Sequence, residues 1–220
     1  MIIYKILSLD LYQPRCTSRL VEYDEVYISC IFTKSADTAK RLAKQFPNSI
    51  VHLGGSGVDL VTKLPPEIES LKPDNSIYHD IYPETKYTSY GFATRGCIRK
   101  CPFCIVPTKE GKIHPVGDLY SVWNKEAGHT HVVLLDNNIL ALPDNFEKVA
   151  DQILQESLTL DINQGMDIRL VNPDNAAIIK KLKLQPYPRL LLMILSWSQR
   201  YEKESMYSRA LVSGFRCSMC

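Results

Sequence analysis

Within GFATRGCIRKCPFCIVP, residues 91–107, three cysteines, Cys97, Cys101 and Cys104, follow the spacing C-x3-C-x2-C. Three thiolates on so short a loop can wrap one metal cluster, and thiolate sulfur is the soft ligand that iron–sulfur clusters take. A four-iron cube has four corners, so three protein ligands leave one iron open to chelate a small molecule and pass it an electron. The same cysteines suit zinc if a fourth ligand joins them, for which His114 and Cys217 are the candidates. Two features favour the cluster: no second close ligand pair lies nearby in the sequence, and an expected strand runs straight into the loop through Gly96.

The loop resembles that of the radical S-adenosylmethionine (radical SAM) enzymes, whose signature is C-x3-C-x2-C with an aromatic before the last cysteine; Phe103 holds that place. The resemblance implies a 4Fe-4S cluster on Cys97, Cys101 and Cys104, S-adenosyl-L-methionine at its open iron, and Phe103 beside the adenine. It implies reductive cleavage of that cofactor to a 5′-deoxyadenosyl radical, fed by an electron donor of the flavodoxin or ferredoxin type. The implied fold is a partial (β/α) barrel with its chemistry at the C-terminal ends of the strands.

Polar residues bunch where two later strands are expected to end. HVVLLD runs into Asp136, Asn137 and Asn138, and DINQGMDIR carries Asp161, Asn163, Gln164, Asp167 and Arg169. In the family the first of these places holds a small-residue and acidic motif for the methionine amino group. By that resemblance Asp136, Asn137, Asn138 and Gln164 are expected to contact the cofactor, although LLDNN lacks the glycines. Turn chemistry is the alternative, since Asn and Asp bond their own backbone in loops.

The motif leaves the substrate unspecified. Arg95, Arg99, Lys100, Lys109 and Lys112 crowd the loop against Glu110 and would suit an anionic partner such as RNA, with tRNA modification as one subclass. The commoner meaning of such a run is a solvated face. Tyr82, Tyr87 and Tyr90 precede the loop and either stack on bases or pack at strand edges.

A β/α alternation must position these residues. TSYGFATRG (88–96), HVVLLD (131–136), LTLDIN (158–163) and RLLLMILS (189–196) read as strands. DLYSVWNKEA (118–127), NFEKVADQILQES (145–157, capped by Asp144) and PDNAAIIKKLK (173–183, Pro173 in the first turn) read as helices. Such alternation means a parallel sheet, open or curled into part of a barrel. Before it, EVYISCIF (25–32), SADTAKRLAKQFP (35–47) and SIVHL (49–53) make a strand–helix–strand unit closed by Gly54, Gly55, Ser56 and Gly57. Residues 23–59 resemble a reduced Rossmann-like cobalamin-binding domain. His52 and Gly55 echo its signature, but Ile50 stands at the aspartate position, so His52 is expected to be a packed histidine and the glycine loop a turn.

The fold class expected is therefore α/β: a small Rossmann-like domain with linker over 1–80, a radical SAM partial barrel over 81–196, and a poorly ordered tail over 197–220 that holds Cys217 and Cys220. The 220 residues are 45% apolar and 23% charged, enough for such cores and unlike a disordered chain. A net charge of +2 is too slight for an overall nucleic-acid or membrane-surface field. No stretch approaches the ~20 apolar residues of a membrane span, so a cytoplasmic protein is expected. There, clustered cysteines read as metal or redox groups before disulfides. A full eight-unit barrel takes ~250 residues, whereas only about four strands fit here. The core is expected to be shortened at its C-terminal side, leaving an inactive remnant that acts as a binding protein as one alternative and a zinc-binding nucleic-acid module as the other.

Overall fold

The structure, a computed structural model, describes residues 4–8, 23–75, 82–185 and 188–191. The chain divides into two units, Met1–Leu71 and Lys72–Cys220. Both are α/β with parallel sheets. No helix among the described residues is long and apolar enough to cross a membrane.

The first unit holds three parallel strands in chain order, β1 (Tyr4–Ser8), β2 (Glu25–Ser29) and β3 (Ile50–Gly54). Val26, Ile28 and Cys30 alternate along β2 and its end, so period-2 geometry puts all three on one face. They form a small core with Ala39 of helix α1 (Ala36–Ala43). On β2 and β3 the Tyr27 and His52 rings stack at 4.4 Å, and both meet Glu25 Oε2, at 2.6 and 3.2 Å. His52 is thus a packed residue. The glycine loop is a close turn against β2, for Gly57 N–H donates to Cys30 O and a Cβ on Gly55 (φ +96°) would lie 2.4 Å from that same oxygen. Strand β1 is not among the expected strands, because YKILS is a short run interrupted by Lys5 that becomes a strand only through its pairing with β2.

The second unit is built on a four-stranded parallel sheet in the order β4 (Thr88–Gly91), β7 (His131–Leu134), β8 (Thr159–Ile162), β10 (Lys183–Leu184). Between β4 and β7 lie β5 (Thr94–Arg95) and β6 (His114–Pro115), and two further short strands, β9 (Met166–Asp167) and β11 (Leu190–Leu191), pair in parallel. Parallel strands covered on both faces read as continuous apolar runs, and Val132, Val133, Leu134, Leu160 and Ile162 are accordingly buried. The first unit also holds the short α2 (Pro66–Glu69); in the second, after the short α3 (Val106–Lys109) and α4 (Leu119–Val122), comes the main helix, α5 (Pro143–Gln155). Its buried stripe is Phe146, Val149, Ala150 and Ile153, the helical face the spacing predicts. Burial of Phe146, Val149 and Ile153 contributes about 1.5–3 kcal/mol each. Helix α6 (Pro173–Lys181) starts on Pro173 behind an Asn172–Asn175 capping box.

Several boundaries differ from expectation. The expected strand 88–96 breaks after Gly91, because Ala93 and Thr94 direct their N–H groups to the Asp136 carboxylate. Helix 118–127 shrinks to α4: Trp123 turns extended (ψ 129°), and Asn124 N–H goes to Ser89 Oγ at 2.9 Å. α5 begins at Pro143 behind Leu142, so Asp144 lies in the first turn and is not the cap. The place beside β8 is taken by Lys183–Leu184, at and just past the expected end of helix 173–183; of the strand expected over 189–196, residues 192–196 lie outside the described residues. No closed barrel is present among the described residues. Cys217, Cys220 and the rest of the expected tail lie outside those residues.

Candidate functional site

The cysteine loop leaves the sheet at the C-terminal end of β4, through a neck that sequence reasoning did not anticipate. Asp136, fully buried at the end of β7, accepts from Ala93 N–H (3.1 Å), Thr94 N–H (2.5 Å) and the Thr94 hydroxyl (2.6 Å). Burial pushes this carboxyl above its ordinary range, with the Thr94 and Ala93 hydrogen bonds opposing. β5 and β6 then pair antiparallel, Thr94 with Pro115 and Arg95 with His114, closing the base of residues 96–113. Cys97 N–H donates to Gly111 O (3.3 Å). Gly96 has φ +78°, and a Cβ there would sit 2.5 Å from Lys112 O, so the two arms approach too closely for any side chain.

Glu110, on the far arm, spans this neck. Its Oε1 accepts from Arg95 (3.1 Å), and its Oε2 accepts from Gly96 N–H (2.9 Å) and Asn137 Nδ2 (2.8 Å). The Arg95 guanidinium also lies 3.6 Å over the Phe92 ring. The sequence signal for this arrangement is slight: one acid among five bases.

Cys97, Cys101 and Cys104 are all free and partly buried. Cys104 N–H closes a turn onto Cys101 O at 3.0 Å. Two N–H groups face the Cys97 sulfur, Arg99 N–H at 3.4 Å and Asn138 Nδ2 at 3.9 Å. Asn138 is only 3% exposed, and among the described residues its Oδ1 has no partner. A buried acceptor left open beside a cysteine loop has room in its chemistry for a ligand's donor.

Of the residues expected at the cofactor, the structure brings Asn137 and Asn138 to the loop. Asp136 also reaches it, with its oxygens engaged by the backbone of residues 93 and 94. Gln164 sits exposed in the turn after β8, closed by Gly165 at φ +80°, and among the described residues makes no hydrogen bond to the loop. Phe103 stands 67% exposed. A third strand end does join: Arg99 Nε donates to Asp167 Oδ2 (3.0 Å), and Arg169 grips the same carboxylate at 2.7 and 2.8 Å. Burial raises Asp167, but the hydrogen bonds and charges of Arg169 and Arg99 prevail and hold it below the usual carboxylate range. A lowered folded value means stability present above the unfolded pKa of about 3.9 and lost as pH falls through the folded one. Wild-type protein should therefore lose stability steeply below about pH 4, and Asp167→Asn should be weaker at pH 7 yet flatter over the acid range; equal slopes in urea titrations would contradict this.

The basic cluster is smaller than its sequence suggests. Arg95 and Arg99 are ion-paired inward with Glu110 and Asp167, while among the described residues Lys100, Lys109 and Lys112 make no ion pair. Tyr82 and Tyr87 are exposed but precede β4, at the opposite end of that strand from the loop.

Among the described residues no three His, Cys, Asp or Glu side chains gather into a group that could hold a metal ion. A single zinc ion needs its donors about 2.3 Å from one point, whereas a four-iron cube sets its thiolates apart by its own inorganic edges. His114 is exposed and its Nδ1 lies 3.0 Å from Lys112 O. By chemical type, three thiols on one loop and an open buried acceptor beside them are the donors that an iron–sulfur cluster with a polar ligand takes. Compared with models of protein families and with characterised proteins, the chain matches none.

Proposed function

We propose that this chain is a radical SAM enzyme: Cys97, Cys101 and Cys104 would hold a 4Fe-4S cluster, with S-adenosyl-L-methionine at the open iron. When bound, that pair supplies one-electron scission of the sulfonium carbon–sulfur bond, the electron coming from a flavodoxin- or ferredoxin-type donor. The observation that carries the reading is Asn138, whose amide faces the Cys97 sulfur while its buried oxygen has no partner among the described residues. That oxygen is suited to a cofactor's amino group, and Asn137 lies beside it on the same strand end.

The remaining side chains order the site. Asp136 fixes the near arm of the loop through residues 93 and 94, and Asp167 holds Arg99 from the end of β9. Loops at the C-terminal ends of consecutive parallel strands are where β/α folds carry their chemistry, and the sequential strand order is the one a barrel uses. The exposed Lys100 and Lys112 suit an anionic substrate such as RNA.

The test is anaerobic reconstitution with iron and sulfide, followed by reduction in the presence of S-adenosylmethionine. About four irons and four sulfides per chain are expected, with release of methionine and 5′-deoxyadenosine. Protein that takes up zinc and no iron overturns the cluster; a loaded protein that releases no 5′-deoxyadenosine overturns the enzymatic reading and leaves a binding protein.

A further inference from the structure

We infer that Glu110 is a positioning residue, a clasp that sets the cysteine loop in its metal-ready shape before any metal arrives. The inference rests on the loop being the ligand-bearing segment proposed above. Glu110 lies six residues after Cys104, and its carboxylate ties its own arm of the loop to two other segments, residues 95–96 and the end of β7. Gly96, the residue immediately before Cys97, gives it a backbone N–H; Arg95 gives it a guanidinium; Asn137, from the end of β7, gives it an amide. The side chain is only 12% exposed, so these bonds are shielded from water, where charge-assisted hydrogen bonds are strongest.

The neck geometry makes this acid decisive. Two residue pairs are all the ladder that β5 and β6 provide; behind them Val116 and Gly117 N–H donate to Ala93 O at 2.9 and 3.2 Å, and on the cysteine side the Cys97 N–H bond to Gly111 O is a long 3.3 Å. Without the carboxylate, Gly96 N–H and Asn137 lose this acceptor and Arg95 loses this counter-charge; Asp136 still holds the near arm at residues 93 and 94, but at Cys97 itself the contact from the β7 end is the 3.9 Å approach of Asn138 Nδ2. The loop must then be gathered by the metal itself, at the cost of ordering its backbone. Glutamine in this place keeps one oxygen for Gly96 and Asn137 and gives up only the ion pair with Arg95.

The experiment reads the loop without metal. Reduced apoprotein is alkylated with iodoacetamide, and the modification of Cys97, Cys101 and Cys104 is followed peptide by peptide by mass spectrometry. Glu110→Ala should be alkylated about tenfold faster at Cys97 than wild type, as loss of charge-assisted bonds implies, and should take up iron correspondingly more slowly. Glu110→Gln should stay within about threefold of wild type at the same position. Alkylation and iron uptake of Glu110→Ala equal to wild type overturn the clasp while leaving the cluster reading in place. Wild type that takes no iron fails the cluster reading, and the alkylation contrast still decides the clasp. If circular dichroism shows that Glu110→Ala does not fold, Asn137→Ala removes one arm alone and should speed Cys97 alkylation about threefold; an unchanged rate overturns the proposal.

Discussion

Cys101→Ala is expected to bring iron and labile sulfide down to background and to abolish 5′-deoxyadenosine release. A cube held by three thiolates loses a third of its protein ligation with one methyl in place of sulfur, and the two survivors cannot close the loop round it. Cys101 occupies the middle of the motif, and the turn that returns Cys104 N–H onto its carbonyl places both on one tight segment. The effect on folding should be small, since the side chain is partly exposed and lies outside the core. Cys217→Ala, in contrast, should retain both iron and product. Iron and sulfide analysis with chromatography of the nucleoside checks both variants, and a Cys101→Ala protein that keeps a full complement of iron would refute the ligand assignment.

Asp136→Ala is expected to destabilise the second unit by about 2–4 kcal/mol. Removing the carboxylate strands two buried backbone N–H groups, of Ala93 and Thr94, at about 1–3 kcal/mol each. The Thr94 hydroxyl can rotate to another acceptor, and the relief of burying a charge subtracts from the total, since burial already pushes this carboxyl upward. The stranded donors win because both lie in protein that water does not reach. Asp136→Asn keeps one acceptor and should show about half the loss. A raised folded-state pKa contributes stability below about pH 4 that is lost as pH rises through the folded value, so the wild-type advantage over the Asn variant should shrink with rising pH. Urea unfolding at several pH values measures this; a change under about 0.5 kcal/mol for the alanine variant contradicts the anchoring role.

Legibility followed the range of the interactions. The α5 stripe could be read directly, because helical spacing depends only on neighbours three and four residues away. The strands at β7 and β8 were equally visible as apolar runs. What was missed had distant causes. Strand β1 exists through register with β2, the break after Gly91 through an acid more than forty residues downstream, and the shortened α4 through Ser89 on another strand. Among site residues, Asn137 and Asn138 were legible as polar residues at a strand end and do reach the loop. Gln164 fitted the same rule and turned to solvent, because the chain after Ile162 closes on itself through Gly165. Glu110 read as one charge in a basic run, since nothing local distinguishes a surface acid from one that links three segments.

By itself the sequence determined the α/β class, the two parallel assemblies and the three thiols at fixed spacing, all properties of periodicity and residue type. Only the tertiary structure decided which acid anchors the loop, which acid spans its neck and which charges point inward. Those are pairings between residues 14 to 68 positions apart, and a hydrogen bond across such a separation is set by the path of the backbone between its partners.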